Sequence, residues 1–331
     1  MRIASAALER FIRDLFVAVG VGIAPGEAAA RHLVWCEMVG RKNFGIERVP
    51  ILVKRIKAGV LVGDSEMKFE KLGQSIERLD AGGGFGFDAG ERAMNRAMEL
   101  ASANGIGVVG VRNSNFFGAG AFYVNLAAQR GMIGLALSNS FPKVVAHGGL
   151  RPVLGTNPFA FGAPRKNGDH LLFDMATSAL AGSTVRQHIA QGKTPPGDVN
   201  SEGALLPFGG AKGFGLALMV EMLAGVLTGA GVGNSVASMY NDFTRNGDNG
   251  HFMLAIDVAR WISMDEYHAR FEALITTIKA SGEAVLLPGE VRWENYRESL
   301  SRGIAVDPEK WKAATNLSRE ASDELVTSRA G

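Results

Sequence analysis

Apolar residues recur at i, i+3, i+4 and i+7 from Leu8 through Phe11, Ile12, Leu15, Phe16 and Val19, which predicts an amphipathic helix over residues 6–19. Pro25 stands in a first turn with Glu27 behind it, and a second helix runs to about Val39. Asn43-Phe44-Gly45 leads into a third helix carried by Ile46, Val49, Leu52, Val53 and Ile56 and ended by Gly59, where Pro50 fits only in the first turn. Runs at 75–80, 106–111, 132–139, 159–163, 171–173 and 252–256 predict strands. Helical spacing occupies 90–103, 122–129, 179–191, a stretch from Lys212, and 265–281, and the last forty residues are helical and polar.

The chain has 331 residues, 47% of them hydrophobic, enough for a large core and for two or three domains. Its 35 Lys plus Arg against 33 Asp plus Glu leave a net charge of +2, too small a field to recruit nucleic acid or an anionic membrane. A single cysteine, Cys36, excludes an intramolecular disulfide and a cysteine-built metal site, and with no signal peptide ahead of the first helix it points to the cytoplasm. Gly213 to Ala230 carries only Glu221, yet its glycines and that acid suit a buried helix better than a membrane span. No metal-ligand spacing occurs.

Gly82-Gly83-Gly84-Phe85-Gly86-Phe87-Asp88-Ala89 lies between a predicted strand and helix, and Gly84-x-Gly86-x-x-Ala89 imitates a dinucleotide fingerprint. The acidic residue expected after the second strand is missing, with Arg112 in its place. Other motifs carry more weight. Arg112-Asn113-Ser114-Asn115-Phe116-Phe117-Gly118, Gly155-Thr156-Asn157-Pro158, Asp174-Met175-Ala176-Thr177-Ser178, Leu205 to Gly215 and Leu287-Pro288-Gly289-Glu290 follow in order. Together they resemble the malate/L-lactate dehydrogenase family over about residues 5–307, a non-Rossmann family that includes ureidoglycolate and sulfolactate dehydrogenases, diketogulonate reductase and Δ1-piperideine-2-carboxylate reductase. Two departures stand out. The histidines the family carries at positions 44 and 116 are Phe44 and Phe116, and the loop at 193–202 is shorter than the family's.

The resemblance implies an α/β fold with a mixed-sheet, non-Rossmann cofactor domain inserted in an α/β substrate domain, behind N-terminal helices. The expected boundaries are 1–42 for the helical segment, 43–120 plus 285–331 for the substrate domain and 121–284 for the cofactor domain. It implies NAD or NADP as cofactor, a small carboxylate substrate and a homodimer. Ser140, Thr156, Asn157, Asp174, Met175, Ala176, Lys212, Gly213, Pro288, Gly289 and Glu290 are the implied cofactor contacts, to the exclusion of the glycines at 82–86.

A 2-oxo acid or cyclic imino acid must be held by its carboxylate and given a hydride and a proton. Arg48, whose planar guanidinium can bind two oxygens at once, is the candidate clamp. Asn115 is a candidate substrate donor or a turn former, and Asp174 either orients a donor beside the nicotinamide or caps a helix starting at Ala176. Lys212, at a helix N-terminus between glycines, suits a phosphate or ribose, or is a plain solvated lysine. The proton donor has no family occupant. His147 is the one histidine near matched motifs; His32, His188 and His268 lie in predicted helices, and His170 and His251 at strand starts. An iminium substrate already carries its proton, so the two phenylalanines favour an imino acid unless His147 serves as the acid. The alternative is a catalytically silent homologue that binds nucleotide or a metabolite.

Overall fold

The opening helices follow their apolar spacing. The computed structural model describes residues 1–182, 185, 188, 191–193, 199–200 and 203–330, with side chains described as far as residue 324. α1 (Ser5–Ala18) buries Leu8, Ile12, Leu15 and Phe16 against α2 (Ile23–Met38), and α3 (Val49–Lys57) carries Pro50 in its first turn. Ile304, Val306, Ala314 and Ala321, close to the other end of the chain, complete the same core. Each large apolar side chain so buried contributes roughly 1.5–3 kcal/mol.

Seven strands form one sheet in the order β2 (Lys68–Lys71), β3 (Ile76–Asp80), β4 (Ile106–Ser114), β10 (Asn249–Asp257), β5 (Met132–Ser138), β8 (Phe159–Ala163) and β9 (Leu171–Met175). Only β3 and β4 run parallel, joined over the sheet by α4 (Gly86–Asn104); every other pairing is antiparallel. This mixed sheet is the non-Rossmann architecture expected. β4 pairs with β10 through Val109 opposite Met253, and β10 with β5 through Met253 opposite Ala136, so one sheet runs across the expected domain boundary at residue 120. α5 (Gly120–Gln129) packs on β5 and β8. Two small ribbons, β6 (Val144–Val145) with β7 (Pro152–Leu154) and β1 (Arg2–Ile3) with β11 (Ile304–Ala305), flank the sheet. α6 (Ala211–Val220), α7 (Met264–Ala280), α8 (Glu290–Arg302) and α9 (Pro308–Ala330) supply the remaining helices.

Several elements differ from the sequence reading. α4 begins at Gly86 and not at residue 90, because Phe87, Asp88 and Ala89 are buried inside its first turn. β4 runs on through Arg112 and Asn113 to Ser114, which pairs with Asn249. The helix expected over 179–191 falls partly outside the described residues, although 182, 185 and 188 are helical, and most of the shortened loop lies outside them. No helix starts at Ala176. α6 continues as a π-helical stretch, Glu221–Val226, and is not buried all round: Leu218, Met219, Met222, Val226 and Leu227 are exposed. Among the described residues no helix is long and apolar enough to cross a membrane.

The glycine turn before α4 is filled by the protein itself. Asn115 Nδ2 donates to the carbonyls of Gly83 at 2.8 Å and Gly84 at 3.0 Å, and a Cβ on Gly86 would lie 2.3 Å from the Asn115 carbonyl oxygen. A glycine is therefore required at position 86, for strand packing. Arg112 Nε donates to Asp80 Oδ2 at 3.1 Å, so the residue standing where the fingerprint calls for an acid is half of an ion pair.

Candidate active site

An open cleft of about 1110 Å³, solvent at its mouth included, lies beside the carboxyl end of β9, and among the predicted site residues Arg48, Ser140, Thr156, Asp174, Met175 and Ala176 line it. At one end Phe44 and Phe116 stand nearly parallel, 7° apart with ring centroids separated by 6.1 Å. The two positions where histidines were expected thus form one apolar wall. Phe44 lies on a short 3-10 turn, Lys42–Phe44, and Phe116 follows β4, so the pair joins the N-terminal helices to the sheet.

Arg48 lies at the floor of this end, 4% exposed. Its Nε donates to the Asn43 carbonyl at 2.6 Å and its Nη1 to the Tyr240 hydroxyl at 2.5 Å, while Nη2 lies 3.7 Å from Glu47. The guanidinium carbon sits 5.9 Å from the centroids of both Phe116 and Tyr240. A buried cation needs such partners, and the edge formed by Nη1 and Nη2 suits a carboxylate. Tyr240 reaches Arg48 on a loop that α3 holds down: Arg55, itself buried, donates to the carbonyls of Asp242 at 2.7 Å, Arg245 at 3.3 Å and Ser238 at 3.4 Å. Lys54 stands 4.3 Å over the Phe243 ring on the same loop. Lys143 also lines the cleft, with Nζ 4.0 Å from the Phe141 ring centroid and 5.1 Å from that of Tyr240.

The rest of the lining combines apolar Phe117, Pro158, Met175 and Ala176 with polar Ser138, Asn139, Ser140, Thr156 and Asp174. Asp174 lies in β9 and its Oδ2 accepts from Ala121 N at 3.1 Å, so it caps α5 across the sheet and not a helix of its own. Arg41 Nη2 donates to the Asp174 carbonyl at 3.5 Å. Burial depresses the Arg292 guanidinium, with Asp174 working in the opposite direction, and its buried Nη1 has no hydrogen-bond partner. Burial, assisted by Asp174, pushes the Cys36 thiol up, which leaves it an inert part of the core.

The remaining predicted residues do not line the cleft. Asn115 spends its amide on structure, because its Oδ1 also accepts from Gly247 N at 2.9 Å and so ties the glycine turn to the far end of the Tyr240 loop. Asn157 is fully buried: its Nδ2 donates to Glu221 Oε2 at 2.6 Å and the Ala217 carbonyl at 3.1 Å, and its Oδ1 accepts from Ser140 N at 3.2 Å. It fastens the Ser140 loop to α6. Lys212 is exposed and Gly213 buried at the start of α6, connected to the cleft through Gly213 N to the Phe208 carbonyl and Phe208 N to the Thr177 carbonyl. Pro288 and Gly289 meet the opposite end of β9, where the Pro288 carbonyl accepts from Leu172 N at 3.1 Å. Leu172 and Thr177 are separated by roughly 16 Å of extended chain. Glu290 is engaged locally, accepting from Lys279 Nζ at 2.6 Å and Leu287 N at 2.9 Å.

His147 is exposed, outside the cleft, and a Cβ on Gly210 would lie 3.5 Å from its ring. Among the described residues no histidine lines the cleft. His251 lies behind its wall, its Nδ1 2.9 Å from the hydroxyl of Ser138, which does line it, and its Nε2 2.9 Å from the Ser114 hydroxyl. The sequence reading missed Tyr240, Lys143, Arg41 and Ser138. For Tyr240 and Lys143 no local pattern in the sequence marks the position.

The fold that carries this cleft is shared with known proteins. The family model described as malate/L-lactate dehydrogenase matches residues 3–314. The L-sulfolactate dehydrogenase of Methanothermobacter thermautotrophicus is 32% identical, over 98% of this chain and 98% of its own length. The solved malate dehydrogenase of Pyrococcus horikoshii OT3 superposes with a TM-score of 0.88 at 28% identity, covering 97% of this chain and 95% of that one. The Δ1-piperideine-2-carboxylate reductase of Pseudomonas syringae pv. tomato gives 0.88 at 28% identity, covering 96% and 99%.

Proposed function

The chain belongs to the malate/L-lactate dehydrogenase family, and from that premise we propose that it is an NAD(P)-dependent oxidoreductase acting on a small 2-hydroxy or 2-oxo acid or a cyclic imino acid. The observation that carries this reading is the buried Arg48 guanidinium in an aromatic-walled cleft that also presents hydroxyls, amide and carboxylate. The residues there fit a nicotinamide: Phe117, Pro158 and Met175 offer apolar surface to a planar ring, and Ser138, Asn139, Ser140 and Thr156 offer partners to its carboxamide. When bound, that ring supplies or accepts the hydride.

The chain's own residues do the rest. Arg48 holds the substrate carboxylate and orients C2; Phe44 and Phe116 exclude water from the reacting carbon; Asp174 holds the first turn of α5 beside the site. Lys212 and the first N–H groups of α6 are assigned to cofactor phosphate. The exposed apolar face of α6 and of the π-helical stretch and turn that follow it, including Leu227 at 64% and Met222 at 49%, supports a homodimer that covers it.

The stacked phenylalanines favour a second reading, a homologue that binds nucleotide without turning over. One experiment separates the two. NADH and NADPH fluorescence titrations, sedimentation at micromolar protein, and a turnover screen with pyruvate, oxaloacetate and Δ1-piperideine-2-carboxylate should show nucleotide binding, a dimer and reduction of at least one substrate. Binding with no turnover across the panel would establish the silent homologue; failure to bind either nucleotide would sink both readings.

A further inference from the structure

A ketone needs a proton as well as a hydride, and the family's histidines are absent from both of their positions in this cleft. The donor must satisfy a geometric requirement. In a 2-oxo acid the carboxylate and the keto group sit on adjacent carbons, so their oxygens lie about 3 Å apart, and the acid must stand within a hydrogen bond of that oxygen. It must therefore be a close neighbour of whatever holds the carboxylate.

Among the described residues of the cleft, the groups with a proton to give are Tyr240, Lys143, Asp174 and the small hydroxyls at 138, 140 and 156. Only Tyr240 is bonded to Arg48, its hydroxyl 2.5 Å from Nη1. Asp174 accepts from the start of α5, and the small hydroxyls are alcohols, far weaker acids than a phenol. Lys143 stands beside the Tyr240 ring at 5.1 Å and is held on the face of Phe141, which itself meets Tyr240 edge-on with centroids 5.9 Å apart. An ammonium there attracts the negative charge that develops on the phenol oxygen as its proton leaves.

We infer that Tyr240 is the catalytic proton donor when this site reduces a 2-oxo acid, and that Lys143 is a positioning residue that stabilises the phenolate left behind. The inference rests on the oxidoreductase reading above. In the step, hydride from a reduced nicotinamide dinucleotide forms the new C–H bond at C2. The carbonyl π pair moves onto oxygen, which takes the proton from Tyr240 Oη, and water then returns a proton to the phenolate. A protonated cyclic imine skips this transfer, because its nitrogen already carries the proton and leaves with it as an amine.

The test compares wild type, Tyr240→Phe and Lys143→Met in three measurements: nucleotide titration, oxamate binding to the nucleotide complex, and kcat with pyruvate or oxaloacetate against Δ1-piperideine-2-carboxylate across pH. In Tyr240→Phe, nucleotide and oxamate binding should stay within about threefold while 2-oxo acid reduction falls about 10²–10⁴-fold and imine reduction is retained. In Lys143→Met kcat with 2-oxo acids should fall about tenfold while oxamate binding and imine reduction are retained, a split a merely structural lysine would not cause. Equal losses on both substrate classes, no loss on either, or a wild-type protein that reduces only the imine would overturn the assignment of Tyr240. A wild-type protein that binds neither nucleotide nor oxamate would overturn the parent reading with it.

Discussion

Arg48 is only 4% exposed, and three of its nitrogens have oxygen neighbours: the Asn43 carbonyl, the Tyr240 hydroxyl and, more distantly, Glu47. A lysine there would keep the charge and lose the fork, since one ammonium cannot serve Asn43, Tyr240 and two substrate oxygens at once. Arg48→Lys should therefore weaken oxamate binding at least tenfold, about 1.4 kcal/mol, and raise KM for the substrate while leaving nucleotide affinity alone. Equal oxamate affinity in the two proteins would remove Arg48 from the clamp. This residue was legible in the sequence because its place relative to Gly45 in a loop-to-helix motif is local. Phe44 and Phe116 were legible as substitutions, but not as a stacked pair, because 72 positions of chain separate them and only folding sets their 6.1 Å spacing. Tyr240 was not legible at all: its meaning comes from Arg48, 192 residues away.

At the scale of elements, the loop that carries Tyr240 is held from three directions. Arg55 binds its carbonyls, Asn246 Nδ2 donates to Asn113 Oδ1 at 2.7 Å, and Asn115 Oδ1 accepts from Gly247 N. Replacing Arg55 by methionine keeps the length and apolar stem but leaves the carbonyls of residues 238, 242 and 245 without their donor. Arg55→Met should lower Tm by several degrees and lower kcat for the 2-oxo acid, with nucleotide Kd unchanged; unaltered kcat would show that the loop holds Tyr240 without help from α3. The same elements show what apolar periodicity can and cannot register. It placed α1 and α3 because each buries a repeating face, whereas α2, buried on nearly every side, was marked by Pro25 and Glu27 at its start. It stopped β4 at residue 111 because Arg112 and Asn113 are polar, although they continue the strand by pairing with Asp80. It also took the glycine turn at 82–86 as a candidate fingerprint, because a pattern of glycines does not reveal that Asn115 fills the space.

At the scale of the whole molecule, two buried histidines join parts that lie far apart in the chain, and they set how the fold responds to acid. His32, on α2, accepts from Ala119 N at 2.9 Å through Nε2, and Gly118, at φ +80°, passes so close that a Cβ would lie 2.1 Å from that nitrogen. His251 links β10 to the hydroxyls of Ser138 on β5 and Ser114 on β4. Burial lowers both imidazoles from 6.5 to about 3. Between those values the unfolded chain binds protons that the folded one excludes, so their contribution is fully present above pH 6.5 and is lost as pH falls towards 3. Each histidine should add a slope of about 1.4 kcal/mol per pH unit once the pH is well below 6.5. Urea denaturation followed from pH 7.5 to 4.5 should show that decline. In His32→Phe the new ring fits among Phe87, Phe122 and Tyr123, whose centroids lie 4.7–5.3 Å from the imidazole. Ala119 N is then left unpaired, which costs about 1–3 kcal/mol at every pH. The variant should thus be less stable at pH 7.5 yet lose stability less steeply in acid, by about one histidine's share of the slope; a wild-type slope would mean that His32 takes up its proton without unfolding the protein.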